Sequence, residues 1–301
     1  MTFDPTQAVA EILGEPSAQM RNPANAEYEC PFLNSVCTKR STLLQAPYPV
    51  CSVHRAGVRG APRTGPPICT CPYRFYEAQL QEDVLREAWK GPRPANPQIA
   101  YEVSMQKFGR VDFVVADYDE HSKQVRKFLP VELQAVDITG SVYPAYDAIL
   151  NSKELPKRPS YGLNWSNVRK RYITQLIQKG FYCHHWDTRI VAVLQSDLFQ
   201  EFQKHAKMDT VPLADANIVF MLYQYRWVYE TQRWDLALEH VVPTSHTSVR
   251  NAILYQTPPN KDTFEKRILS RIQRPEGPIA VPVVETIGEI EPEPDESDED
   301  E

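Results

Sequence analysis

Three runs of strand-like sequence follow one another between residues 99 and 138: IAYEVSM (99–105), GRVDFVVA (109–116) and KFLPVELQAVDI (127–138). Only the polar, turn-like DYDEHSKQVR separates the last two. Within LPVELQAVDITG (129–140), Val131, Leu133 and Ala135 fall on one face, and Glu132, Gln134 and Val136 on the other, because strand side chains alternate. Helical patterns bracket the three runs. YRFYEAQLQEDVLREAW (73–89) carries an apolar stripe of Phe75, Leu80, Val84, Leu85 and Trp89, and GPRPANP ends it. SNVRKRYITQLIQKG (166–180) reads as a helix with Ser166 or Asn167 as N-cap and Gly180 as its stop. TRIVAVLQ (188–195) is a further strand. The order from 73 to 195 is therefore α-β-β-β-α-β, an α/β (α+β) class with a mixed sheet flanked by helices.

Beyond 195, DLFQEFQKHA reads as a short helix, 218–230 and 233–242 as a second strand pair, and 262–273 as a late helix. Upstream, one helix is expected around 6–13. Four segments are expected in all: an irregular 1–29, a Cys-rich 30–72, a main domain over 73–284, and a tail over 285–301. The tail holds 10 acidic residues and no basic one, cannot bury apolar surface, and is expected to be disordered. Ahead of it, 33 Lys and Arg face 29 Asp and Glu, so a mildly basic body precedes a strongly acidic end. No run of 18 apolar residues is present, so no membrane partner is expected. The first residues, MTFDPTQAVAEILGEP, lack the basic-then-apolar pattern of a signal peptide, so the expectation is a cytoplasmic protein.

The polar positions of the strands raise a chemical question. A turn near Ser122 puts Asp112 opposite Glu132, and directly opposed side chains lie ~4.5–5.5 Å apart, where like charges repel. A divalent cation between them removes the conflict. Mg²⁺ is typically held by one or two carboxylates and keeps water and phosphate on its other positions. Gln134 lies one pleat beyond Glu132 and offers an amide, and Glu102 on the preceding strand is a further carboxylate. From the alternation alone, a solvent-facing strand is the favoured reading, since exposed Asp and Glu are the norm. Asp112, however, interrupts an otherwise apolar VDFVVA.

Five of the six cysteines, at 30, 37, 51, 69 and 71, lie in a Pro- and Gly-rich stretch with few apolar residues. Four thiolates in such a stretch favour a structural metal over disulfides in a cytoplasmic protein. Cys30, Cys37 and Cys51 supply three ligands, the fourth being Cys69 or Cys71, with His54 a weaker candidate. Tetrahedral sulfur ligation suits zinc or iron.

Two basic stretches are candidates for DNA binding. RAGVRGAPR (55–63) contains Arg55 and Arg59, and the start of the second bracketing helix contains Arg169, Lys170 and Arg171. Such groups bind phosphates, and Arg also reads guanine edges.

An Asp on one strand followed by Glu-x-Gln on the next resembles the PD-(D/E)xK nuclease core, in the variant where Gln replaces the usual Lys. With the α-β-β-β-α-β order, and with ECPFLNSVC (29–37), CSV (51–53) and ICTCPYRFYE (68–77), the region 28–195 resembles the NotI-type restriction endonuclease family. The resemblance implies a Mg²⁺-dependent, sequence-specific endonuclease for double-stranded DNA, acting as a homodimer. It implies Asp112 and Glu132 as ligands of the catalytic ion, Gln134 in the lysine's place, and Glu102 as a supporting acid. It also implies iron at the cysteines, with Cys71 as fourth ligand. A Gln brings no positive charge to the transition state, which leaves more of the electrostatic work to the metal. A non-cleaving DNA-binding or regulatory protein on a nuclease scaffold is the alternative, with a redox metalloprotein a weaker third.

Overall fold

The computed structural model describes residues 2–20, 28–40, 47–55, 66–106, 109–256, 258 and 260–272. Arg59 and the acidic tail lie outside the described residues. Two compact units are present, Met1–Gln256 and Thr257–Glu301.

The strands of the first unit are β1 (Val9–Ile12), β2 (Glu15–Pro16), β3 (Glu29–Cys30), β4 (Ser35–Val36), β5 (Val50–Val53), β6 (Ile68–Cys69), β7 (Pro97–Ser104), β8 (Arg110–Asp119), β9 (Gln124–Gln134), β10 (Ile138–Gly140), β11 (Tyr161–Leu163), β12 (Ile190–Gln195), β13 (Ile218–Val228) and β14 (Arg233–Thr244). Its helices are α1 (Leu80–Glu87), α2 (Tyr143–Leu150), α3 (Trp165–His185), α4 (Ser196–His205) and α5 (His246–Leu254). The second unit contains α6 (Lys261–Ile272), which leaves Phe264, Ile268, Leu269 and Ile272 exposed.

A six-stranded sheet in the order β14-β13-β12-β9-β8-β7 organises the first unit. β12 runs parallel to both β9 and β13, and the remaining pairs are antiparallel. Every residue of IVAVLQ in β12 is buried, which is why that central strand reads as a continuous apolar run. On one face, Val111, Val114, Ala192, Leu194 and Phe220 pack with Ile173, Leu176, Phe199 and Phe202 of α3 and α4. On the other, Phe113, Val115, Val131, Leu133, Val191 and Val193 pack with Phe75, Leu80, Val84 and Leu85. The alternation within LPVELQAV thus sets both layers.

The segments 1–29 and 30–72 share one sheet, ordered β2-β1-β5-β6. Val9, Ile12, Val50 and Val53 form a small core with Val142, Ala145, Tyr146 and Ile149 around α2. The helix expected at 6–13 is instead a 3₁₀ turn (Pro5–Gln7) followed by β1. Val9–Ile12 is wholly buried against β5, and that pairing overrides local preference. The helix expected at 73–89 is a 3₁₀ turn (Pro72–Glu77) and then α1, while α2 was not anticipated.

The second bracketing helix runs from Trp165 to His185, straight through Gly180. Gly180 is not a stop but a close approach: a Cβ there would sit 2.7 Å from Ile218 Cγ1 on β13. Cys183, His184 and His185 therefore end this helix.

Candidate active site

β8 and β9 form an antiparallel hairpin. Phe113 pairs with Val131 and Val114 with Pro130, and one step further along this register Asp112 faces Glu132. On its other side β8 pairs with β7 through Tyr101–Phe113 and Val103–Val111, and Glu102 faces Asp112 in the gap between these pairs. Glu102, Asp112 and Glu132 thus occupy one row across three strands. The row is also where the strands are irregular. Glu102 has φ 52°, a left-handed backbone rarely adopted outside glycine. Val111 and Val114 pack in the layer under α3 while Phe113 packs in the opposite layer, so β8 breaks its alternation at Asp112.

The carboxylates are in electrostatic conflict. Burial pushes the Asp112 carboxyl up, the backbone N–H of Leu133 opposes this by donating to Oδ2 at 2.6 Å, and the negative charge of Glu102 adds to the rise. Burial pushes Glu132 up to about 7, against the pull of a lysine ammonium, and Asp112 and Glu102 push it further. That ammonium belongs to Lys179 of α3, a residue the sequence reading did not single out. Lys179 is 3% exposed, forms an ion pair with Glu132 Oε1, and donates to the Arg110 carbonyl at 2.7 Å. Tyr172, two helical turns earlier on α3, is buried, and its hydroxyl has no hydrogen-bond partner among the described residues. Burial first, then the charges of Glu132 and Asp112, raise its phenol well above the ordinary range.

Gln134 ends β9 and donates from Nε2 to the Ala135 carbonyl at 2.6 Å. It shares a cleft of about 200 Å³ with Asp137, Val168, Arg171, Tyr172 and Gln175. Of the basic run on α3, Arg171 therefore lines the same cleft as Gln134, whereas Lys170 is exposed and Arg169 lines a separate cleft with Trp165, Glu201 and His205. Arg55 pairs with Asp197 and lies over the Trp165 ring, 5.4 Å from its centroid, so it already has protein partners.

Cys30, Cys37, Cys51, Cys69 and Cys71 are all buried. Burial is the main cause raising the thiols of Cys37, Cys51, Cys69 and Cys71, and neighbouring thiols add to it: Cys30 at Cys37, Cys71 at Cys51, and Cys37 and Cys30 at Cys71. The Cys69 thiol donates to the Cys71 carbonyl at 3.2 Å. Lys39 donates to the carbonyl of Thr70 at 3.0 Å, and its charge pulls the Cys37, Cys51 and Cys71 thiols down. Among the described residues, no group of three or more His, Cys, Asp or Glu side chains stands close enough together to hold a metal ion. No described helix is long and apolar enough to cross a membrane.

The first unit thus brings a row of acidic side chains on a mixed sheet together with basic groups of α3. The family follows from the sequence as a whole. The family described as restriction endonuclease NotI matches residues 11–236, well over half of the 301, and the chain belongs to that family. It is thereby a type II restriction endonuclease, a sequence-specific deoxyribonuclease acting on DNA. No curated protein matches the chain.

Proposed function

We propose that the carboxylate row is the catalytic centre, that Asp112 and Glu132 bind Mg²⁺, and that the fold is of the PD-(D/E)xK type with Glu-x-Gln on β9. The observation that carries this is the row of Glu102, Asp112 and Glu132 on three neighbouring strands, in which burial first, then Glu102 at Asp112 and Asp112 with Glu102 at Glu132, disfavour the charged forms of the two half-buried carboxyls. A hard cation needing only one or two carboxylates fits that pair. The unpartnered Tyr172 hydroxyl beside it adds a polar atom that a hydrated ion or a phosphate would satisfy. The bound ion would lower the pKa of water and screen charge on the scissile phosphate.

The protein's own groups then divide the work. Asp112 is held by the Leu133 N–H, which orients its carboxylate. Gln134 and Arg171 line the cleft beside it and suit phosphate oxygens, Gln134 through its amide and Arg171 through its guanidinium. Glu102 acts from the edge strand as a supporting acid. In the reaction a water oxygen bonds to phosphorus as one ester P–O bond breaks, and the proton given up by water balances that taken by the departing oxygen. Arg169 and Lys170 contact the backbone of duplex DNA, and a homodimer matches a two-fold target.

Cys30, Cys37, Cys51 and Cys71 are the ligands of a structural iron or zinc in this reading; their thiols already influence one another, and binding would draw the sulfurs in from spacings that do not hold an ion in the described structure. The Cys71 thiol feels the charges of Cys37 and Cys30, and the Cys51 thiol that of Cys71, which supports Cys71 as the fourth ligand. Metal analysis should find one iron or zinc per chain, lost in Cys71→Ser and kept in Cys69→Ser. For the activity, purified protein is incubated with unmodified genomic DNA and Mg²⁺. Discrete fragments support the reading, and intact DNA under all divalent ions contradicts it.

A further inference from the structure

The strand position where a lysine is expected holds Gln134, whose amide bears no charge. The structure nevertheless puts an ammonium at the centre of the row. Lys179 comes from α3, which packs over the face of the sheet that carries Glu132, and its head group bonds both Glu132 and the Arg110 carbonyl. Burying a lysine this deeply is costly unless its charge is used. α3 is placed to hold it. Leu176 and Ile173 anchor the helix in the core, and Gly180, the next residue, lets the helix approach Ile218 where any side chain would collide.

We propose that Lys179 is the cationic catalytic residue of this site, and that its ion pair with Glu132 offsets one negative charge of the carboxylate row until a divalent ion competes for Glu132. Resting on the Asp112–Glu132 reading, this makes two claims that a purely structural lysine would not satisfy. In the free protein, Lys179 and the ion bind the same carboxylate, so each weakens the other. With DNA bound, the freed ammonium stands beside Glu132, where it offsets negative charge building on the phosphoryl oxygens.

The experiment compares Lys179→Met, Lys179→Gln and Lys179→Arg with the parent and with Asp112→Asn. Mn²⁺ affinity is measured by titration calorimetry without DNA at mildly alkaline pH, and cleavage is measured with Mg²⁺. Removing the ammonium should tighten Mn²⁺ binding by about tenfold, as loss of a competing charge worth ~1.4 kcal/mol would give. It should slow cleavage by about 10²–10³-fold, the scale of losing one electrostatic group at a transition state. Lys179→Arg should recover part of the rate. Should the Met variant fail to fold, the Gln and Arg variants carry the same comparison. If Asp112→Asn abolishes Mn²⁺ binding and cleavage while Lys179→Gln binds Mn²⁺ and cuts like the parent, the lysine inference alone is overturned. If Asp112→Asn leaves both unchanged, the site reading has failed and the lysine's role falls with it.

Discussion

The carboxylate of Asp112 accepts the backbone N–H of Leu133 at 2.6 Å, tying β8 to β9 beside Glu132. The bond holds in place a charge that burial and Glu102 both disfavour. A group whose ionised form is disfavoured by its surroundings costs stability where it must be ionised. Asp112→Asn keeps an oxygen for the Leu133 N–H and removes the charge, so without metal it should melt above the parent. Thermal denaturation in chelator at neutral pH reads this directly; a clear fall in Tm would show that the site carries no such conflict.

Glu11 and Arg74 form an ion pair in which both side chains are 0% exposed. The same carboxylate also accepts from Ser52 Oγ at 2.6 Å and Tyr225 OH at 2.9 Å, so β1, β5, the 72–77 turn and β13 meet at one point. Removing one member of such a pair leaves a buried charge unpaired, at a cost of about 3–5 kcal/mol. Arg74→Met should lose that much in urea denaturation, and the double variant Glu11→Leu, Arg74→Met should recover a large part. A loss under about 1 kcal/mol for the single change would refute the pairing.

Gly180 lies inside α3, where alanine ordinarily adds about 1 kcal/mol. Here the added methyl meets Ile218 Cγ1 at 2.7 Å, and overpacking costs about 1–3 kcal/mol. Gly180→Ala should therefore be no more stable than the parent, and it should cleave more slowly because it shifts the helix that carries Lys179. A stabilised, fully active alanine variant would contradict this account of the contact.

The three strands and the register of Asp112 against Glu132 could be read because alternation and a short turn fix which residues oppose. Lys179 could not. It sits in SNVRKRYITQLIQKG among other basic residues, and nothing local separates a buried lysine from one on a wet helix face. Treating the following glycine as a stop also hid the helix's passage over β13. β1 was misread for a related reason: AVAEIL suits helix locally, and only its partner Val50–Val53 makes it a strand.

His246 opens α5 beside the rings of His184 and Phe181, each 5.5 Å from its own between centroids. Burial holds its pKa below the ordinary value, and the charges of His184, Arg250 and His185 add to this. The unfolded chain then takes up a proton at His246 more readily than the folded one. Stability from this group is complete above about pH 6.5 and is lost as pH falls from there towards the folded pKa. His246→Gln should flatten the decline of Tm on the acid side of neutrality. A parent and variant with parallel Tm profiles would refute it.

The most direct test of the catalytic assignment separates binding from cutting. Asp112→Asn and Glu132→Gln are isosteric, and because Glu132→Gln leaves the buried Lys179 ammonium without its ion pair, circular dichroism first confirms that each variant folds; both should then bind duplex DNA near the parent's affinity. Cleavage with Mg²⁺ should fall by at least about 10²-fold in each. DNA bound but uncut by both variants is the predicted result; cleavage retained by either one would contradict the site.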